Sequence, residues 1–205
     1  MLQNQQSKQQ QLFAALIAIA AALSVILQYI FRTGSAANFF SFFTIQCNIL
    51  VAITAASAAF FSTTRPGRFF TSTSVQTAIA LYIFIVALVY NTVLRGLIPL
   101  EGWNLLLDTM LHVVNPLLYL SYWFMVSRKK SLLEYKHGLY WSIFPFAYLV
   151  YSMIRGAVVG WYPYPFLNAV QKGYPTVALN ILIMIVVFLI AGLLLIAATR
   201  SLRKR

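Results

Sequence analysis

Six long apolar segments alternate with short polar ones along the chain. The apolar segments lie at about residues 12–31, 39–61, 75–94, 105–126, 139–154 and 175–199. Most of them are close to the roughly 20 residues that a helix needs to cross a hydrocarbon core about 30 Å thick. Lipid offers the backbone no hydrogen-bond partners, so segments that span it must be helical. The pattern predicts one all-α domain over residues 1–205, a polytopic membrane protein built as a bundle of six transmembrane helices.

Composition agrees with a membrane location and excludes an ordinary soluble domain. Of the 205 residues, 61% are hydrophobic and 9% are charged, and the mean hydropathy is +0.80. The formal net charge of +12 does not indicate nucleic acid, because the basic residues fall in short clusters between apolar segments instead of on one face. We therefore expect membrane lipids as partners and a location in the cell membrane.

The first apolar segment is predicted to be a retained helix and not a cleaved signal peptide. The stretch Ser35-Ala36-Ala37 is similar to a cleavage site. However, the apolar segment is longer than the roughly 7 to 15 residues of a signal core, and only Lys8 precedes it as a basic residue.

Basic residues predict the orientation, because cytoplasmic loops carry an excess of Lys and Arg. Eleven lie on one side of the proposed membrane and four on the other. The first set is Lys8, Arg65, Arg68, Arg128, Lys129, Lys130, Lys136, Arg200, Arg203, Lys204 and Arg205. The second set is Arg32, Arg95, Arg155 and Lys172. The split predicts that both termini are cytoplasmic.

Two features of the backbone can be predicted as well. Pro145 lies inside the fifth segment, so it implies a kink and frees a carbonyl that needs a donor from a neighbour or water. The outward-running third and fifth segments both end in an Arg-Gly pair at positions 95–96 and 155–156, where the glycine can end the helix. The aromatic loop at 161–166 is expected to cap a pocket beneath the two arginines.

Polar side chains concentrate in the predicted outer half of the membrane. These residues are Thr44, Asn48, Arg95, Asp108, His112, Arg155 and Asn180. Intramembrane ionisable groups are costly and tend to mark a functional site in the interior. Asp108 and His112 are one helical turn apart and share a face, while Thr44, Cys47 and Asn48 form a stripe on the second segment.

A hydroxyl, an imidazole and a carboxylate at similar depth are the components of an activated oxygen nucleophile, provided the two helices adjoin. Cys47 is a rival nucleophile, although such a cysteine is more often a small packing residue. The two ligands Asp108 and His112 are too few for a zinc site, and no nucleotide or haem motif is present, so neither a metal nor another cofactor is expected.

The motifs in these segments resemble a known family. FFTIQCNIL in the second segment, DTMLHVVNPLLYL in the fourth, and the RG and WYPYPF stretches after the fifth carry the resemblance. The chain is similar in these stretches to prokaryotic six-transmembrane proteins related to the androgen-induced and androgen-dependent TFPI-regulating proteins of animals. The resemblance extends over all six segments.

The resemblance implies a transmembrane threonine hydrolase that cleaves fatty acid esters of hydroxy fatty acids or similar lipids. The nucleophile would be Thr44 and the base would be His112. Asp108 is expected either to orient His112 or to form a structural ion pair with Arg95 or Arg155. Asn48 is the nearest candidate by spacing to stabilise the oxyanion. Arg95 and Arg155 would hold a lipid carboxylate near the interface.

Other functions fit the same residues. A transporter or a non-catalytic lipid-binding or anion-binding protein would use Asp108, His112 and the arginines as a proton relay or an anion site. The inner half of the segments has few polar residues to continue a path, which favours a one-sided pocket over a transporter. A third possibility is a scaffold in which these polar residues only connect helices.

Overall fold

The computed structural model describes residues 7–127 and 133–203, with side chains as far as residue 200. Within these ranges the fold is all-α and no residue lies in a strand. The α-helices are α1 (Lys8–Ile30), α2 (Ala36–Phe40), α3 (Phe43–Phe60), α4 (Arg65–Phe70), α5 (Thr73–Val89), α6 (Gly102–Thr109), α7 (Asn115–Ser127), α8 (Lys136–Val159), α9 (Ala169–Lys172) and α10 (Tyr174–Arg203). Five of the basic residues counted for orientation lie outside the described residues: Arg128, Lys129, Lys130, Lys204 and Arg205.

Five helices are long and apolar enough to cross a membrane. They are Lys8–Ile30, Phe43–Phe60, Thr73–Leu94, Lys136–Val159 and Tyr174–Arg200. Large apolar side chains on their outer faces are exposed, for example Leu16 on α1 and Leu182 on α10. Such faces favour lipid over water as their surroundings. The fold is therefore that of a helical membrane protein, as the apolar segments predict.

The fourth predicted segment, 105–126, has a different character. The backbone is helical from Gly102 to Ser127, but its middle, Met110–Val114, is a π-helix that separates α6 from α7. This stretch is not among the five candidate spans. It carries Asp108 and His112, and π-helical turns are frequent at functional sites.

The second predicted segment, 39–61, begins too early. Short helix α2 ends at Phe40, and α3 begins only at Phe43. Phe42 lies between them in an extended conformation, with φ −77° and ψ 128°. The apolar run is continuous across this break, so hydrophobicity alone does not reveal it. As a result Thr44 lies in the first turn of its helix instead of one turn further in.

Helices α1 and α3 form the most extensive helix pair in the core. Both helices contribute small, fully buried residues to the core, including Ala14 and Ala21 on α1 and Cys47 and Ala55 on α3. Small side chains let helix backbones approach closely in a membrane protein. Cys47 therefore has the environment of a packing residue, and it is absent from the cavity wall described below.

Helix α8 passes through Pro145 without ending. Proline removes the N–H that would have bonded to the carbonyl of Trp141, one turn earlier. The phenol of Tyr82 on α5 donates to that carbonyl at 2.7 Å. The predicted neighbour for the freed carbonyl is thus a tyrosine of the adjacent helix.

The two Arg-Gly pairs differ in structure. Gly96 has φ +84° and follows the helical segment that ends at Leu94, as predicted. The prediction that Gly156 ends its helix is wrong, because α8 continues to Val159 and ends at Gly160, which has φ +72°. Gly156 instead makes room for the ring of Tyr162, since a Cβ there would lie 2.0 Å from a ring carbon. This contact holds the loop after α8 against the helix.

Candidate functional site

Thr44 is bonded to a tyrosine from a distant part of the chain. The Thr44 N–H donates to the Tyr164 phenol oxygen at 3.2 Å, and the Thr44 hydroxyl lies 3.3 Å from the same oxygen. A first-turn N–H has no acceptor within its own helix, so Tyr164 provides one. Thr44 is buried, with 7% of its surface exposed.

Thr44 and Tyr164 both lie in the wall of a cavity of about 320 Å³. The remaining wall is mostly apolar and comes mainly from α5, α8, α10 and the turn Pro165–Leu167, together with Phe43 of α3 and the π-helical segment Tyr90–Leu94. Tyr90, Ser142 and Tyr148 are the other polar residues that line it. Its size and apolar lining are typical of sites for small apolar ligands. Tyr164 and Phe166 of the aromatic loop lie in this wall, but the cavity is not the pocket beneath the two arginines that the loop was expected to cap, because neither arginine lines it.

His112 is paired with Asp108, its neighbour one turn earlier. Its Nδ1 lies 3.1 Å from the Asp108 carboxylate Oδ1 and 2.9 Å from the Asp108 carbonyl oxygen. Tyr90 donates a hydrogen bond to the other carboxylate oxygen, and its ring stacks on the imidazole. With Nδ1 protonated toward Asp108, Nε2 keeps its lone pair and is free of hydrogen bonds among the described residues. The pair has the orientation of a general base and its supporting carboxylate.

Thr44 and His112 lie on adjoining elements, but no hydrogen bond joins their side chains in the part of the chain that the structure describes. The Asn48 amide on α3 donates to the Leu111 carbonyl at 3.1 Å, which joins the two elements one residue from His112. Tyr90 lines the same cavity as Thr44 and stacks on His112. Within the described residues, the hydroxyl partner of Thr44 is Tyr164. Neither His112 nor Asp108 lines the cavity.

The amide of Asn48 is fully occupied in the core. Its N–H₂ donates to the carbonyls of Thr44 and Leu111, and its oxygen accepts from Asn115 at 2.9 Å. Asn115 also donates to Ser24 on α1. These side chains connect α1, α3 and α7 in a buried polar cluster. Asn48 does not line the cavity. It lies one turn from Thr44, as its spacing predicts, but its amide hydrogens are not available to a ligand.

Arg95 and Arg155 each donate a hydrogen bond to a different asparagine side chain. Arg95 donates to Asn91 at 3.0 Å. Arg155 donates to Asn38 at 2.7 Å and lies over the ring of Trp161, 4.6 Å from its centre. Neither arginine lines the cavity. The two arginines thus have separate partners, and the predicted anion clamp is not part of this cavity.

The remaining candidates have separate surroundings. Asn180 donates to the Phe166 carbonyl at 2.9 Å and so helps to hold the loop over the cavity. No group of three His, Cys, Asp or Glu side chains suited to a metal occurs in the part of the chain that the structure describes.

Two residues of the site were not singled out in the sequence: Tyr90 and Tyr164. The chain has 12 tyrosines, and nothing in their spacing distinguishes these two. The only indication of a role for Tyr164 in the sequence is its position within the aromatic loop. Burial raises the pKa of Tyr164 to about 12, while its hydrogen bonds with Thr44 act in the opposite direction. The phenol is therefore protonated near neutral pH and available as a donor.

Comparisons with known proteins do not extend this description. No protein-family model, curated protein or solved structure matches the chain. The fold and composition define the class as a helical membrane protein, and the site must be interpreted from its own residues.

Proposed function

We propose that the chain spans the membrane six times, with both termini in the cytoplasm. The helical stretch Gly102–Ser127 would be the sixth span, in addition to the five apolar helices. At 1.5 Å per residue it is roughly 39 Å long, enough to cross a core of about 30 Å. The distribution of Lys and Arg supports the orientation.

Cysteine labelling tests this topology, with Cys47 replaced by alanine as background. In intact cells, a membrane-impermeant maleimide should label Lys172→Cys at once and Arg68→Cys only after permeabilisation. If Arg68→Cys is labelled in intact cells and Lys172→Cys only after permeabilisation, the orientation is the reverse of the one proposed. Equal labelling of the two cysteines in intact cells would contradict the six-span arrangement.

We propose further that the protein is an intramembrane hydrolase of lipid esters, such as fatty acid esters of hydroxy fatty acids. The observation that supports this most is the position of Thr44 in the wall of a largely apolar cavity, on an element that adjoins the Asp108–His112 pair. The cavity would hold an acyl chain, and Thr44 would meet the ester carbonyl at its polar end.

In this mechanism the Thr44 oxygen attacks the carbonyl carbon, and His112 Nε2 accepts the hydroxyl proton through a water molecule. Asp108 holds the imidazole and stabilises its charged form. Collapse of the tetrahedral intermediate releases the alcohol, which takes its proton from His112. Water then hydrolyses the acyl-threonine by the same sequence of steps.

The test uses purified protein and a fluorophosphonate probe, which labels activated hydroxyl nucleophiles. Labelling and ester hydrolysis should disappear in Thr44→Ala, fall by about 10²–10⁴ in His112→Ala, and persist in Cys47→Ala. Hydrolysis at the normal rate by folded Thr44→Ala would remove the basis of the proposal.

A non-catalytic lipid-binding protein is the second candidate. This function is favoured because the Thr44 hydroxyl is hydrogen-bonded to Tyr164 and not to His112, the proposed base. In that case a fatty acid would bind in the cavity and compete with a fluorescent fatty acid, while no ester would be cleaved and no probe would attach.

A further inference from the structure

Ester hydrolysis at Thr44 requires a donor for the negative charge that develops on the carbonyl oxygen. Fixed donors at that position usually provide the largest single contribution to catalysis. Asn48, the donor expected from spacing, has both amide hydrogens bonded to backbone carbonyls and is absent from the cavity wall. The reaction therefore needs another group.

We propose that the hydroxyl of Tyr164 is this donor, and thus a further catalytic residue of the proposed hydrolysis. Its oxygen lies 3.3 Å from Thr44 Oγ1 and 3.2 Å from the Thr44 nitrogen, and both residues line the cavity. A carbonyl carbon within bonding distance of Oγ1 brings its oxygen into reach of the phenol. The Thr44 N–H, released from its bond to Tyr164 as the carbonyl oxygen enters, provides a second donor.

The phenol is held in place by the packing of its loop. The ring of Tyr164 stacks on Phe166, with centroids 5.2 Å apart and planes 4° apart, and meets Phe42 edge to face. The Phe166 carbonyl accepts from Asn180 on α10. The loop is thus anchored to α10 and to Phe42, the residue before α3, which suits a donor that must not reorganise during reaction.

The proton and electron changes are those of acyl transfer. Formation of the Oγ1–carbon bond moves the π electrons of the carbonyl onto its oxygen, and the Thr44 proton passes to His112. Tyr164 donates a hydrogen bond to that oxygen and keeps its proton throughout. When the carbonyl re-forms, the bond to the alcohol oxygen breaks, and His112 protonates the leaving group.

The first experiment compares Tyr164→Phe with Tyr162→Phe in hydrolysis of a p-nitrophenyl acyl ester. Tyr162 is in the same loop but does not line the cavity, and its phenol oxygen has no hydrogen bond among the described residues. We expect Tyr164→Phe to lower kcat by about 10²–10³, with little change in KM, and Tyr162→Phe to retain native rates. Native kcat in Tyr164→Phe would overturn the role of Tyr164.

Thr44→Ala separates this proposal from the proposed function on which it rests. If Tyr164→Phe is fully active and Thr44→Ala is inactive, the hydrolase stands and Tyr164 is not its donor. If Thr44→Ala is fully active as well, the hydrolase proposal itself fails.

A second experiment distinguishes a Tyr164 hydroxyl that donates to the substrate from one that only holds Thr44 in position. A fluorinated tyrosine at position 164 keeps the hydroxyl and nearly the same shape, but ionises at lower pH. Loss of the phenolic proton abolishes donation, so kcat should fall at an alkaline pH where the native protein is unaffected. Identical pH profiles for the two proteins, in a variant that retains its thermal stability, would overturn the proposal.

Discussion

The phenol ring of Tyr90 stacks on the imidazole of His112, with ring centres 3.8 Å apart and planes 15° apart. The same tyrosine donates its hydroxyl hydrogen to the carboxylate of Asp108. Tyr90 therefore restrains both members of the Asp108–His112 pair, one through its face and the other through its hydroxyl, while its side chain lines the cavity.

If the proposed hydrolase is correct, Tyr90→Phe should lower kcat by about 10- to 100-fold, the equivalent of a hydrogen bond to a charged group at roughly 1.5–3 kcal/mol. Tyr90→Leu should lower it further, because the stacked ring is lost too. Tyr174→Phe, at an exposed tyrosine, is the control. Native activity in both Tyr90 variants would exclude this supporting role.

Gly156→Ala should destabilise the protein, because the new Cβ would lie 2.0 Å from the ring of Tyr162. Overpacking of this kind costs about 1–3 kcal/mol, measured as a lower Tm in detergent. Gly138→Ala on the same helix α8 is the matched control, since a Cβ there has no neighbour within 4 Å. Equal Tm values for the two variants would contradict the close packing of the loop.

Asn48→Ala should lower the free energy of unfolding, since it leaves a donor of buried Asn115 without its acceptor. The expected loss is about 1–3 kcal/mol for one unsatisfied buried group, in addition to any cavity. Asn104→Ala is the control, at an exposed asparagine of α6. Chemical denaturation in detergent compares them, and equal midpoints would show that the buried polar cluster contributes nothing.

Met184→Trp should obstruct the cavity, because Met184 lines its wall. If the acyl chain lies there, kcat/KM for long-chain esters should fall at least about tenfold more than for short-chain esters, since each methylene of lost contact is worth roughly 1–3 kcal/mol. Leu182→Trp, an exposed position on the same helix α10, should leave the ratio unchanged. If Met184→Trp leaves the ratio of kcat/KM for long-chain and short-chain esters unchanged, the acyl chain of the substrate does not lie in this cavity.

Hydrophobic patterning predicted the long helices well, because length and apolarity depend only on local sequence. It missed the break at Ser41–Phe42 and the π-helical turn Met110–Val114, since both lie inside apolar runs. Their spacing of four residues predicted that Asp108 and His112 share a face, and the structure pairs Asp108 with His112 and not with an arginine. The spacing of Thr44 and Asn48 did not reveal that the amide of Asn48 is used by Leu111 and Asn115.

By itself the sequence determined the class of protein, a helical membrane protein, because the cost of exposing apolar helices to water is a property of composition and run length. It also determined which polar residues share a turn. Only the tertiary structure decided that Tyr164, 120 residues from Thr44 along the chain, supplies its hydrogen-bond partner, and that Tyr90 covers His112. Contacts between distant segments depend on how the helices pack together, and no local pattern in the chain encodes them.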